Sequence, residues 1–176
     1  MRRPGVGLDT QCYTYLLDAV VGIEEPTDPL AEQRKALIRS WFYNRDVYFL
    51  TETVVAECDA IKDSARREAH SRFKEPLFNH PPTSNAVQVQ ARTAVLFKQH
   101  RKEKDCRVLA EAEDLCLTYL LTFDGNFRKR LGHPTTQVML MTPSEYWARL
   151  AIPKGAAPKL APEALNPLSM QTWWRW

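Results

Sequence analysis

Four acidic residues stand where one element of the chain hands over to the next. Asp9 follows the apolar residues 6–8 and precedes Thr10, and Asp124 follows the apolar run 119–122, two positions past Thr122. Functional groups of open α/β sheets collect beyond the carboxyl ends of strands, which is where both acids fall. Glu57 lies three residues after Val54 and four before Ile61, on the apolar side of a predicted helix. Asp105 opens another predicted helix, 105 to about 116, where a carboxylate meets the favourable end of the dipole. A carboxylate on an apolar helix face is costly unless something compensates it, and four together push one another toward protonation. Mg²⁺ or Mn²⁺ relieves both problems, because a hard divalent cation takes carboxylate and water oxygens. So held, it supports hydrolysis of a phosphodiester by water, with no covalent intermediate. Each acid alone has a plainer role: Asp9 or Asp105 as an N-cap, Glu57 as a half-exposed helix residue, Asp124-Gly125 as a turn. The four in this order are what point to a metal.

The elements that would position them follow from periodicity. Residues 6–8, 47–50, 119–122 and 138–141 are short apolar runs bounded by polar residues and predict buried strands. Between them, Tyr13, Leu16, Leu17 and Val20 recur at helical spacing until Gly22, and Asp28-Pro29 signals a helix start carrying Leu37, Ile38, Trp41 and Phe42. Thr51 is placed to cap the helix of Val54 and Glu57, and Ser84 the helix of Val87, Ala91 and Val95. Residues 62–80, dense in charge and ended by His80-Pro-Pro82, predict a solvated helix. Thr142-Pro143-Ser-Glu145 predicts a capping box. Strands alternating with helices mean an α/β fold, a three-layer α/β/α sandwich around a mostly parallel sheet. Residues 1–152 form the expected domain and 153–176 a Pro-rich tail ending Trp173-Trp174-Arg175-Trp176. Leaving three tryptophans in water is expensive, so the tail is expected to pack on the chain's own body or a subunit interface.

Leu-Asp9-Thr10, Val-Ala-Glu57, Lys-Asp105-Cys-Arg-Val-Leu-Ala and Leu-Leu-Thr122-Phe-Asp124-Gly-Asn126-Phe127 together resemble the PIN-domain nucleases, over roughly residues 4–150. Many small stand-alone proteins of that family are toxins of toxin–antitoxin pairs of the VapC type. The resemblance implies a PIN-like fold and a Mg²⁺- or Mn²⁺-dependent endoribonuclease acting on RNA. Asp9, Glu57, Asp105 and Asp124 match the family's metal-binding acids, with Thr10 and Thr122 at the hydroxyl positions beside the first and last. It also implies an antitoxin protein as partner; a homodimer is an expectation apart from the resemblance. The family often carries a further acid two positions after the last Asp; Asn126 stands there, an amide that can still bond a metal or its water but brings no charge.

Two basic stretches flank the acids: Lys98, His100, Arg101, Lys102 and Lys104 on one side, Arg128, Lys129 and Arg130 on the other. Brought together in space, Arg101, Lys102, Lys104, Arg128, Lys129 and Arg130 would form an RNA-binding rim that tracks phosphates; otherwise they are solvated helix ends. The alternating charges of residues 66–75 predict a salt-bridged face, and Asp114, about half a turn of the helix away from Asp105, a surface position.

Composition closes off other classes. The chain has 176 residues, 44% hydrophobic and 26% charged, with a net charge of +3, which suits a folded globule that tolerates nucleic acid without requiring it. Cys12, Cys58, Cys106 and Cys116 lack zinc-site spacing and are expected to be small buried residues in a reducing compartment. Arg2 and Arg3 lead into no apolar secretory segment, since Asp9 and Asp18 interrupt it, and no run approaches a membrane span of roughly 20 residues. A cytoplasmic location is the expectation. Two rivals remain: a phosphoaspartyl phosphatase using Asp9, which usually has a second acid where Gln11 stands, and a non-catalytic RNA- or protein-binding domain with an acidic pocket.

Overall fold

The computed structural model describes residues 4–20, 24–44, 46–133 and 137–176; the expected positions at Arg2, Arg3 and Gly22 lie outside them. Strands β1 (Gly5–Leu8), β2 (Val47–Phe49), β3 (Tyr119–Leu121) and β4 (Met139–Met141) pair in the order β2-β1-β3-β4, every pair parallel. Val6, Leu8, Leu120 and Leu121 are fully buried, as central strands covered on both faces must be. Helices α1 (Thr10–Val20), α2 (Ala31–Tyr43), α3 (Glu52–Asp59), α4 (Ser64–Leu77), α5 (Ala86–Phe97), α6 (Glu103–Asp114), α7 (Gly125–Leu131) and α8 (Pro143–Arg149) flank the sheet. The fold is the expected α/β type.

Strand order reverses between β1 and β3, because β1 leads to β2 on one side while β3 and β4 lie on the other. Leu8 pairs with Leu121, and the Asp9 N–H donates to the Leu121 carbonyl at 3.0 Å. Asp9 therefore leaves the sheet beside Thr122, at the topological switch point.

A buried acid locks the two helices that carry Glu57 and Asp105. Glu111 of α6, 1% exposed, accepts from the Thr53 N–H at 2.9 Å, the Thr53 hydroxyl at 2.8 Å and Arg107 Nε at 3.0 Å. Glu111→Gln keeps the size but weakens the charge-assisted bonds, and should cost about 1 kcal/mol. The urea midpoint should fall with an unchanged m value. An unshifted midpoint would show that the lock contributes nothing.

Several local expectations are corrected. Ser84 does not cap α5: its N–H and hydroxyl go to Asp114, which is half-buried rather than on the open surface, while Asn85 accepts from Gln88 N–H at 3.0 Å. Helix α6 begins at Glu103, so Asp105 sits inside the first turn and does not open it. The charged helix is shorter than 62–80, capped by Asp63 and ending just past Pro76. Cys12, Cys58 and Cys106 are buried, but Cys116 is exposed with φ 52°. It terminates α6 in a left-handed cap, where Cys116 N–H bonds Glu113 O and Leu117 N–H bonds Ala112 O, so its position follows from helix closure. The capping box at Thr142 and Glu145 forms as its spacing predicts.

The tail lies against α2 and α8. Lys159 and Leu160 N–H groups both reach the Phe42 carbonyl, and buried Trp174 packs on Phe42 with ring centroids 4.7 Å apart. Trp176 meets Trp147 edge-on at 5.5 Å and donates its N–H to the Tyr43 hydroxyl. Trp174 is thus buried and Trp173 half-buried by the chain itself, whereas Trp176 stays exposed. Among the described residues, no helix is long and apolar enough to cross a membrane.

Candidate active site

Beyond the ends of β1 and β3, a cleft of about 280 Å³ takes in Asp9, Thr10, Glu57, Lys102, Lys104, Asp105 and Asp124. Its floor is built by helix capping. Asp9 Oδ1 accepts the Cys12 N–H at 2.7 Å at the start of α1, and Asp124 Oδ1 accepts the N–H groups of Asn126 and Phe127 at 2.8 and 3.0 Å at the start of α7. Both acids are therefore N-caps and cleft residues at once. Thr122, fully buried behind them, accepts the Asp124 N–H at 2.9 Å and hydrogen-bonds the Asp9 carboxyl.

The electrostatics of the two differ. Burial pushes the Asp9 carboxyl up to about 6; bonds from Thr122 and Cys12 pull against it, and the Asp105 charge adds to the rise. Burial also raises Asp124, but the Lys102 ammonium and the two backbone N–H groups outweigh it and hold the carboxyl below its ordinary range. Lys102 Nζ lies 2.6 Å from Asp124 Oδ2 and 3.8 Å from Asp105 Oδ2. On the opposite wall Glu57 takes the Thr10 hydroxyl on Oε2 and Lys104 Nζ on Oε1, the latter at 2.7 Å. Two lysines thus offset part of the negative charge of the cleft.

The donor set is all oxygen, four carboxylates with threonine hydroxyls beside them, which suits Mg²⁺ or Mn²⁺ better than a softer metal. Among the described residues, no three His, Cys, Asp or Glu side chains are gathered to metal-site spacing as they stand. Closing them on a cation requires Lys102 and Lys104 to release Asp124 and Glu57.

The other expected site residues lie apart. Asn126 is exposed and offers Asp124 its backbone N–H, with its side chain outside the cleft lining. Arg101 stacks over Phe97 at 5.3 Å, Arg128 pairs with Glu145, and Lys129 and Arg130 are exposed; none of these lines the cleft. The reason is α7 itself: Asp124 caps its N-terminus, whereas Arg128, Lys129 and Arg130 belong to its last turn. Of the six expected rim residues, Lys102 and Lys104 line the cleft. His100 is not a rim residue either; it is 6% exposed and holds Asp105 through Nε2 at 2.7 Å. Sequence reasoning also missed Gln11, Val108 and Phe127 in the lining. No periodicity flags a histidine five residues before an acid across a turn.

No family model matches the chain, and no curated protein matches it. A solved structure of similar fold is that of VapBC2 from Rickettsia felis bound to a DNA fragment from their promoter. It aligns with a TM-score of 0.49 and 11% identity, over 78% of this chain and 97% of that one. At that level the likeness decides nothing about the cleft, whose chemistry has to come from its own side chains.

Proposed function

We propose that the chain is a metal-dependent endoribonuclease that hydrolyses RNA phosphodiester bonds, with Asp9, Glu57, Asp105 and Asp124 holding Mg²⁺ or Mn²⁺. The observation that carries this reading is the meeting of all four acids in one cleft at the switch point of the sheet, with Asp9 buried at a cost. When bound, the cation polarises the phosphate and eases deprotonation of the attacking water. Thr122 and the two helix N-termini fix Asp9 and Asp124 in place, and Thr10 orients Glu57. Lys102 and Lys104, once off the carboxylates, are placed to meet phosphate oxygens. Cleavage of end-labelled RNA with Mg²⁺, with Mn²⁺ and with chelator tests it: activity with the ions and none with chelator is expected, and chelator-resistant or absent cleavage rejects it. The reading extends to an antitoxin protein as partner, which the family resemblance implies, and to a homodimer and a cytoplasmic location, which are expected apart from it.

The lysine salt bridges favour one second reading, a non-catalytic pocket whose acids are already satisfied. The two readings differ over Lys102→Met/Lys104→Met. In a nuclease the lysines both compete with the cation and hold phosphate. The double variant should then bind Mn²⁺ severalfold more tightly, and bind RNA more weakly, with a salt dependence flattened by about 0.7 for each phosphate that a lysine no longer neutralises. Calorimetry and RNA binding in Ca²⁺ at several salt concentrations measure both. In a structural pocket neither moves.

A further inference from the structure

We infer that His100 is the positioning residue for Asp105, an inference that rests on the metal-centre reading of the cleft. His100 follows the end of α5, where its N–H bonds the Leu96 carbonyl at 3.1 Å. Its ring is held on two sides and its backbone carbonyl by a third contact. Phe127 of α7 lies nearly parallel to it, 15° between planes and 5.8 Å between centroids. Cys106 Sγ reaches its carbonyl at 3.0 Å, and Asp105 Oδ2 meets Nε2 at 2.7 Å. The histidine is buried and does not line the cleft, so it cannot touch a substrate there.

What it can do is set the direction of a carboxylate. A first-turn aspartate on a helix has several open rotamers, and the repulsion from Asp9 and Asp124 would turn Asp105 outward. A donor locked by stacking holds one oxygen, Oδ2, which also lies 3.8 Å from Lys102 Nζ, and makes no bond to Oδ1. Because an ionised carboxylate only accepts, the ring must carry its proton on Nε2. Phe127 couples the device to the fourth acid, since it sits on the helix that Asp124 caps and its own N–H is one of the capped groups. His100 thus joins the third and fourth acids from behind. Outer partners of this kind typically change metal affinity by 10–100-fold when removed.

His100→Leu keeps the bulk without the donor, whereas His100→Gln keeps a donor of similar reach. With Mn²⁺ binding followed by calorimetry on the full chain, His100→Leu should weaken affinity about tenfold, and His100→Gln should recover most of it. At saturating Mn²⁺ the KM for RNA should stay at the wild-type value in both. In the wild-type protein, long-range ¹H–¹⁵N spectra should show His100 protonated at Nε2, and Mg²⁺ should shift its signals while those of His80, paired with Glu75, stay still. Wild-type affinity in a folded His100→Leu, or a His100 signal indifferent to Mg²⁺, overturns the inference. The spectra decide the matter even if His100→Leu fails to fold. A wild-type chain that binds neither ion and cleaves no RNA removes the metal-centre reading and this inference together; a metal-dependent wild type with an unaffected His100→Leu removes this inference alone.

Discussion

Asp9→Asn and Asp124→Asn should each lower RNA cleavage by at least about a hundredfold while leaving the chain folded. The substitution separates charge from architecture. Both acids cap helices through one oxygen, and asparagine caps as well as aspartate does, so α1 and α7 keep their starts. The negative charge that would hold the cation is lost. Alanine would be a poorer probe, because removing a cap costs about 0.5–2 kcal/mol and confounds the rate with unfolding. Initial rates at saturating Mg²⁺ and Mn²⁺, with circular dichroism as the control, measure the effect. Rates within a few-fold of wild type in both variants would take the acids out of catalysis.

The parts of this molecule legible in its sequence are those set by local periodicity. Apolar runs ending in Asp9 and Asp124 identify central strands and their carboxyl ends, because a parallel strand covered on both faces has nothing polar until it leaves the sheet. Glu57 stands out because a charge among Val54, Cys58 and Ile61 needs a partner, and the structure supplies Thr10 and Lys104. What stayed hidden depends on direction and on distant partners. Arg128, Lys129 and Arg130 are close to Asp124 in sequence, yet a helix capped by that acid carries them away from it. Lys102 lies on the other flank of the cleft and returns to Asp124 across 22 residues.

The same limit explains Glu111 and His100. Glu111 follows Asp105 on a helix with several other acids, and only its bonds to Thr53, 58 residues away, make it a buried lock. His100 looks like one more basic residue in a basic bridge. Its burial follows from the docking of α7, which brings Phe127 over the ring. Cys116 is the converse case: local closure of α6 places it at the surface against the burial tendency of its residue type.

In the cation-free protein, Asp9 should make stability fall by up to about 3 kcal/mol as pH rises from about 4 to above 6. Its carboxyl titrates near 3.8 when unfolded and at about 6 when folded, raised first by burial. Between those values the folded chain keeps a proton that the unfolded chain has released. Each step up in pH therefore favours unfolding, and the penalty is complete once the folded carboxyl has ionised. Asp9→Asn carries no such charge, so its advantage over wild type should be near zero at about pH 4 and largest above pH 6. Urea unfolding of both proteins in chelator measures this difference, in which the other titrating groups cancel. Above pH 6, a cation at 100 times its dissociation constant should return about 2.7 kcal/mol to wild type and much less to Asp9→Asn. A difference between the two proteins that stays flat with pH would mean that Asp9 ionises like a solvated acid, and that no cation is needed to hold its charge inside the cleft.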